Sequence, residues 1–310
     1  MRRSIGIRPA LLAAGLLWMV TACADDPATP PPGAGAMEAL PALARGGGTP
    51  MTEEGQAIFR YDDFGDWRLW TDVLRLNELV EGVSPAAALG LGLKVDADAV
   101  PPEVLAAVLA DPALLEDPAI TRALLSLDAV VGVRAQVDGD AITRIGITCA
   151  LCHSTVDDAV APGIGRRLDG WANRDLAVGT IVSLAPGLPD ELRPTYASWP
   201  PGYFDPRFNV DGISDPVVIP PAYGAAHARV ETYTGEGPIS YWNNYVAVVE
   251  MGGHGSFRDP RLGIEIQVPP QEDEVRDKLG PLRDYQRTLE APPPPPGSFD
   301  PAAAEEGEAV

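Results

Sequence analysis

Hydrophobic residues recur along most of the chain at the three- and four-residue spacing of amphipathic helices. A first helix is predicted to begin at Thr52, whose hydroxyl suits an N-cap, and to carry Ile58 and Phe59. A later one is predicted over residues 118–127, with Asp117 as its N-cap. The same spacing predicts helices over residues 66–80 (stripe Trp67, Trp70, Val73, Leu74), 102–110, 173–184, 189–199, 238–251 (face Trp242, Tyr245, Val249) and 271–290, the last broken at Gly280-Pro281.

The pattern changes to strict alternation between residues 130 and 148. Val131, Val133 and Val137 alternate with polar residues, and a return strand begins at Ile142 after the turn Asp138-Gly139. This is typical of a β-hairpin. Residues 214–224 contain too many prolines for a helix and are predicted to be extended. The predicted fold class is therefore mainly α, with one β-hairpin and large loop and helix insertions.

The N-terminus has the pattern of an export signal. Arg2, Arg3 and Arg8 precede a short apolar run, and residues 20–23 (V-T-A-C) resemble a bacterial lipobox in which Cys23 is lipidated. An ordinary signal peptide with an incidental cysteine is the alternative. The predicted organisation is a lipoprotein signal at 1–22, a Pro/Ala/Gly-rich tether at 23–51, a folded domain at 52–290 and a Pro-rich linker with a further helix start at 291–310.

The balance of charge limits the classes of partner. With 44 acidic and 23 basic residues the net charge is −21, which repels nucleic acid and anionic membrane surfaces. The lipid on Cys23 is therefore the expected membrane contact. The acidic surface is explained either by solubility or by docking of a basic redox partner protein.

The candidate chemistry lies directly after the hairpin, in Cys149-Ala150-Leu151-Cys152-His153. Two thiols three residues apart, followed at once by histidine, are typical of covalent haem c attachment, with His153 as an axial iron ligand. The alternatives are a zinc half-site and a thioredoxin-like redox pair. Zinc requires four ligands, and the chain has only 3 cysteines. With Cys23 lipidated, no thiol remains for a disulfide.

The second axial position has few candidates. Electron carriers usually place Met or His there, whereas an open site is typical of ligand-binding or peroxidase-type haem. Met251 is the only methionine after the haem motif, and it precedes two glycines. His254 and an open site remain alternatives, while His227 is predicted to be a packing or surface residue.

The motif resembles the signature of class-I-type cytochromes c. Leu168 and Gly170 match the family's haem-packing leucine and turn glycine, but Arg166 or Arg167 stands where the family has the proline whose carbonyl holds the ligand imidazole. The acceptor for His153 is therefore not identified by this resemblance. The two arginines are expected either to pair with haem propionates or to lie on the surface.

A longer resemblance links residues 55–76, the haem motif and residues 218–224 to large bacterial cytochromes c that are distant relatives of dihaem cytochrome c peroxidases. It implies a cytochrome c-like domain with one haem and single-electron transfer, with Trp171, Leu168 and Trp242 as candidate pocket walls. A peroxidase that uses His254 or Glu250 as acid/base is the alternative, and a binding module that has lost its partner domain is a third. Residues 298–310 resemble the opening helix of a second such domain.

Overall fold

The computed structural model describes residues 50–227 and 237–308, without the side chains of Val210 and His227. The predicted signal, the lipobox at Cys23 and most of the tether lie outside these residues, as does the side chain of His227. The α-helices are α1 (Pro50–Tyr61), α2 (Leu76–Val80), α3 (Pro85–Gly90), α4 (Pro102–Ala110), α5 (Pro118–Ser126), α6 (Cys149–His153), α7 (Val178–Ser183), α8 (Arg193–Ala197), α9 (Phe208–Asp211), α10 (Ile239–Tyr245), α11 (Leu279–Gln286) and α12 (Pro301–Glu308).

Strands are short, and within the described residues they form five two-stranded sheets. The strands are β1 (Val95–Asp96), β2 (Val133–Asp138), β3 (Ala141–Ile147), β4 (Ser154–Val156), β5 (Ile164–Gly165), β6 (Arg167–Asp169), β7 (Tyr203–Phe204), β8 (Val217–Val218), β9 (Phe257–Asp259) and β10 (Ile264–Ile266). The pairs β2–β3, β4–β6, β7–β8 and β9–β10 are antiparallel, and β1–β5 is parallel. The prediction of a mainly helical chain with a hairpin before the cysteine motif is confirmed.

The first and last helices of the folded core cross each other. A Cβ on Gly55 of α1 would lie 2.0 Å from the Pro281 carbonyl oxygen of α11, so only glycine allows this approach. One turn further along α1, the Phe59 ring meets the Tyr285 ring edge-on at 5.6 Å. Helix α1 thus packs against α11, and it also packs against α6.

Among the described residues, three apolar clusters fill the interior. The largest joins α1, α6, α10 and α11, and it contains Phe59, Ala150, Met251 and Leu282 together with the half-buried Cys149. The second lies beneath β2, β3, α4 and α5, and the third beneath residues 68–80 and 178–192. No helix in the described part of the chain is long and apolar enough to span a membrane.

Several predicted helices differ from the structure. The helix predicted over 66–80 is a π-helix, Arg68–Val73, and then α2, with Arg75 between them at φ 59°. The wider π turn leaves Val73 57% exposed, whereas the apolar stripe predicts it on the same face as Trp70 and Leu74. The segment predicted over 238–251 is likewise α10 followed by a π-helix, Val246–Glu250.

Other boundaries also move. The first helix begins at Pro50, so Thr52 lies in its first turn and is not the N-cap. Gly280-Pro281 does not break the last core helix, because Pro281 stands in the first turn of α11, where its missing N–H has no helical partner to lose. The predicted helices over 173–184 and 189–199 shrink to α7 and α8. The cap of α5 is confirmed, since Asp117 Oδ1 accepts from the Ala119 amide at 2.8 Å.

Candidate functional site

The cysteine motif forms a short helix, α6, that follows the hairpin directly. Thr148 caps it, because its Oγ1 accepts from the Ala150 amide at 3.2 Å while the hydroxyl donates to the Arg60 carbonyl of α1 at 3.2 Å. A Cβ on Gly132, at the entrance of β2, would lie 2.0 Å from the Leu151 amide nitrogen. The hairpin therefore contacts α6 through backbone on one side, as the sequence predicted.

The imidazole of His153 is held by a carbonyl distant in sequence. Its Nδ1 lies 3.0 Å from the Pro220 oxygen, 67 residues away. A carbonyl only accepts, so Nδ1 carries the proton and the Nε2 lone pair is left available to a metal. Burial lowers the pKa of His153 below its ordinary value, which keeps the ring neutral at neutral pH. The acceptor left open by the sequence comparison is thus Pro220, in the extended segment 214–224.

The two arginines that replace the expected proline have different environments. Arg167 is buried and does not take the surface role considered for it. Its Nε lies 3.0 Å from Asp96 Oδ2, and its guanidinium group lies over the Tyr61 ring. No nitrogen of this group makes a well-aligned hydrogen bond to the described residues. Arg166 is exposed and lies 3.7 Å from Asp157.

Both thiols of the motif are half-buried, and their surroundings disfavour the thiolate form. Burial raises the pKa of Cys149 to about 12, with a further contribution from the negative charge of Asp62. Burial also raises the pKa of Cys152 to about 12, and the carboxyl of Glu250 adds to this effect. Thioredoxin-like pairs instead depend on a lowered thiol pKa. The environment of this pair therefore disfavours the dithiol redox alternative.

The segment after β6 binds the carbonyl end of the motif helix. The Gly170 amide donates to the His153 carbonyl at 2.8 Å, and the Asn173 amide donates to the Cys152 carbonyl at 2.9 Å. Gly170 in turn accepts from the Ala222 amide at 2.8 Å, which fixes the segment that carries Pro220. The carbonyls at this helix end are thus satisfied by one segment.

The predicted pocket walls lie in and beside this segment. Leu168 is half-buried in β6, opposite Thr155 of β4. The ring of Trp171 meets that of Tyr223 at 6.0 Å. Leu168 and Trp171 are therefore joined to the motif through the segment that binds its carbonyl end.

The candidate distal residues are placed differently. Met251 is 5% exposed and belongs to the same apolar cluster as Cys149, at the end of the π-helix Val246–Glu250. Its amide donates to the Val246 carbonyl at 2.8 Å, the five-residue bond of a π turn. His254 Nε2 lies 3.7 Å from Glu272 Oε2, and the His254 amide donates to the Phe64 carbonyl at 2.8 Å.

One acidic side chain near the motif has an unusual environment. Glu250 lies close enough to Cys152 for its charge to affect that thiol. Burial, and then the charge of Asp205, raises the pKa of Glu250 well above its ordinary value. It lies next to Met251 in the chain.

A cavity of about 150 Å³ borders the Pro220 segment. Its lining includes Pro221, Ala222, Tyr223, Ile239, Trp242 and Asn243. The Trp242 indole nitrogen is buried and has no hydrogen-bond partner among the described residues. A buried donor left unpaired costs roughly 1–3 kcal/mol, so this N–H suits an acceptor contributed by a bound group.

Across the part of the chain that the structure describes, no cluster of three or more His, Cys, Asp or Glu side chains is arranged to hold a metal ion. Sequence reasoning did not identify Pro220 or Thr148 as parts of the site. Only Thr148 had a local signal, a hydroxyl residue directly before a short helix. No family model, no curated protein and no solved structure matches this chain.

Proposed function

We propose that this protein is a cytochrome c-like electron carrier that binds one haem c covalently and transfers single electrons. The observation that carries the proposal is the state of His153 within the Cys149–Cys152 motif. The imidazole is neutral, and its Nδ1 proton is donated to the Pro220 carbonyl at 3.0 Å. This leaves Nε2 as a ligand atom, and hydrogen bonding at the other nitrogen raises the basicity of a ligating histidine.

The remaining residues fit the same group. Cys149 and Cys152 stand in one short helix, where both thiols can form thioethers to one porphyrin edge. The unpaired Trp242 N–H suits a haem propionate as acceptor, and Met251 supplies a thioether from the same apolar cluster as Cys149. When bound, haem supplies an iron that gains or loses one electron. A methionine ligand favours a higher reduction potential than two histidines do.

The redox assignment has a direct test. After expression with a cytochrome c maturation system, the protein is expected to give a spectrum that switches reversibly between oxidised and reduced forms with one electron per chain. It is also expected to reduce or oxidise small redox dyes without consuming peroxide. A protein whose oxidised form binds and turns over peroxide rapidly would contradict the electron-carrier assignment.

Glu250 favours a second candidate, a peroxidase-type haem enzyme. Its negative charge contributes to the raised pKa of Cys152, and a carboxyl in the surroundings of the motif could act as acid/base on a bound peroxide. His254 has less support in that role, since its ring lies near Glu272. Peroxide turnover that Glu250→Gln abolishes, with the haem spectrum retained, would favour the enzyme over the carrier.

The proposed location is the periplasmic side of a bacterial cytoplasmic or outer membrane, through a lipid on Cys23. Sequence alone supports this part, from the arginine-rich start and residues 20–23. Cys23→Ser is expected to move the protein from the membrane to the soluble fraction while its haem spectrum stays unchanged. Identical fractionation of variant and wild type would remove Cys23 as a lipid site.

A further inference from the structure

A buried polar bridge connects the strand that leads into the haem motif with the backbone of Met251. The Ile147 amide, two residues before Cys149, donates to both carboxyl oxygens of Asp66 at 3.2 and 3.3 Å. The Trp70 Nε1–H donates to Asp66 Oδ2 at 3.1 Å and also to the Met251 carbonyl at 2.9 Å. One carboxyl and one indole therefore bind both sides of the candidate site.

The groups of this bridge are excluded from water. Asp66 has no exposed surface and Trp70 is 8% exposed. The Asp66 carboxyl accepts hydrogen bonds from the Ile147 amide and from the Trp70 indole, and both donors are N–H groups. Leaving a buried polar group unpaired costs more free energy than one hydrogen bond contributes, and the bridge is therefore formed as a unit.

Further hydrogen bonds attach residues 64–71 to both sides of the candidate site. The Thr71 hydroxyl donates to the Ile145 carbonyl at 2.9 Å and accepts from the Ile145 amide at 2.8 Å, which binds the Trp70 segment to β3. On the other side, the His254 amide donates to the Phe64 carbonyl at 2.8 Å. Residues 64–71 thus hold both the strand before Cys149 and the loop after Met251.

Both ends of the bridge coincide with π-helical turns. Trp70 lies inside the π-helix Arg68–Val73, and Met251 ends the π-helix Val246–Glu250. Such turns are rare and often occur at functional sites, because the extra residue redirects the side chains that follow. Here they bring an indole N–H and a main-chain carbonyl from segments 181 residues apart within hydrogen-bond distance.

We propose that Trp70 and Asp66 are positioning residues that hold the Met251 main chain at the distance needed for its thioether to bind the haem iron. This inference rests on the proposed function. Neither side chain needs to touch the iron. Their role is to reduce the freedom of the Met251 loop relative to Cys149, so that ligation by Met251 competes well with external ligands.

The test compares Trp70→Phe with wild type. The variant keeps an aromatic ring and removes the shared N–H. The fraction of iron bound by Met251 is measured from the weak absorbance at ~695 nm that ferric thioether ligation gives. The strength of Met251 binding to the iron is measured by titration with imidazole, which competes for the same position. Loss of the shared N–H, and with it of the hydrogen bond to the Met251 carbonyl, is expected to raise the apparent imidazole affinity about tenfold.

Two further variants separate positioning from general loss of stability. Trp199→Phe changes another buried tryptophan, 3% exposed, and removes an indole N–H that donates to Ser214 Oγ at 3.0 Å; it is expected to leave imidazole affinity unchanged. Asp66→Asn is expected to raise the imidazole affinity about threefold. If Trp70→Phe does not fold, the result for Asp66→Asn tests the positioning role instead.

The outcomes distinguish this inference from the proposed function. A wild-type protein without the ~695 nm band would overturn Met251 as ligand, and the inference with it. A wild type with the band would retain Met251. If the Trp70 and Asp66 variants then match wild type, or if Trp199→Phe shifts the affinity equally, the positioning role is wrong and Met251 remains the ligand.

Discussion

Replacing Cys149 and Cys152 together by serine is expected to abolish covalent haem attachment. The two thiols are the only ones in the described residues, and both lie in α6. Serine hydroxyls do not add to vinyl groups, so no thioether forms. Acid–acetone extraction measures the result, since haem should remain with the wild-type protein and move to the organic phase for the double variant.

The single variants serve as matched controls. Cys149→Ser and Cys152→Ser each keep one thioether, and each is expected to retain haem through extraction with an altered reduced spectrum. His153 stays in place in all three proteins, so a difference between the single and double variants reports the thioethers alone. A colourless wild-type protein that binds zinc after expression with the maturation system would refute haem attachment.

Substituting Met251 is expected to open the sixth position of the iron. Met251→Ala should remove the absorbance near ~695 nm, lower the reduction potential and allow cyanide or peroxide to bind. Because Met251 is 5% exposed, truncation to alanine also leaves a cavity that costs roughly 2–5 kcal/mol of unfolding free energy. Met251→Leu keeps most of the volume, with an expected cost below about 1.5 kcal/mol, and removes only the sulfur.

Absorbance, potentiometry and cyanide titration of the same samples check this expectation. Met51→Leu is the matched control, since Met51 is 47% exposed in α1 and its substitution should change none of these quantities. If His254→Ala produces the changes instead, the distal ligand is His254, three residues further along. If neither substitution alters cyanide binding, the wild-type site is open and the peroxidase alternative gains support.

Local features of the fold were predictable because the groups involved are neighbours in the chain. The hairpin follows from alternation on both sides of Asp138-Gly139, and the observed pairing of Val133 with Ile147 matches it. The cap of α5 follows from Asp117 directly before Pro118. The helix over 66–80 was wrong because apolar spacing does not distinguish an α turn from a π turn at residues 68–73.

The chemistry of the candidate site was contained in five consecutive residues, because thioether and iron binding require side chains at fixed local spacing. Tertiary structure alone decided what holds those side chains. The acceptor of His153 is a main-chain carbonyl 67 residues away, and every residue has a carbonyl, so no letter of the sequence marks Pro220 for this role. Asp66 and Trp70 likewise acquire their partners only when residues 64–71, β3 and Met251 pack together and exclude water.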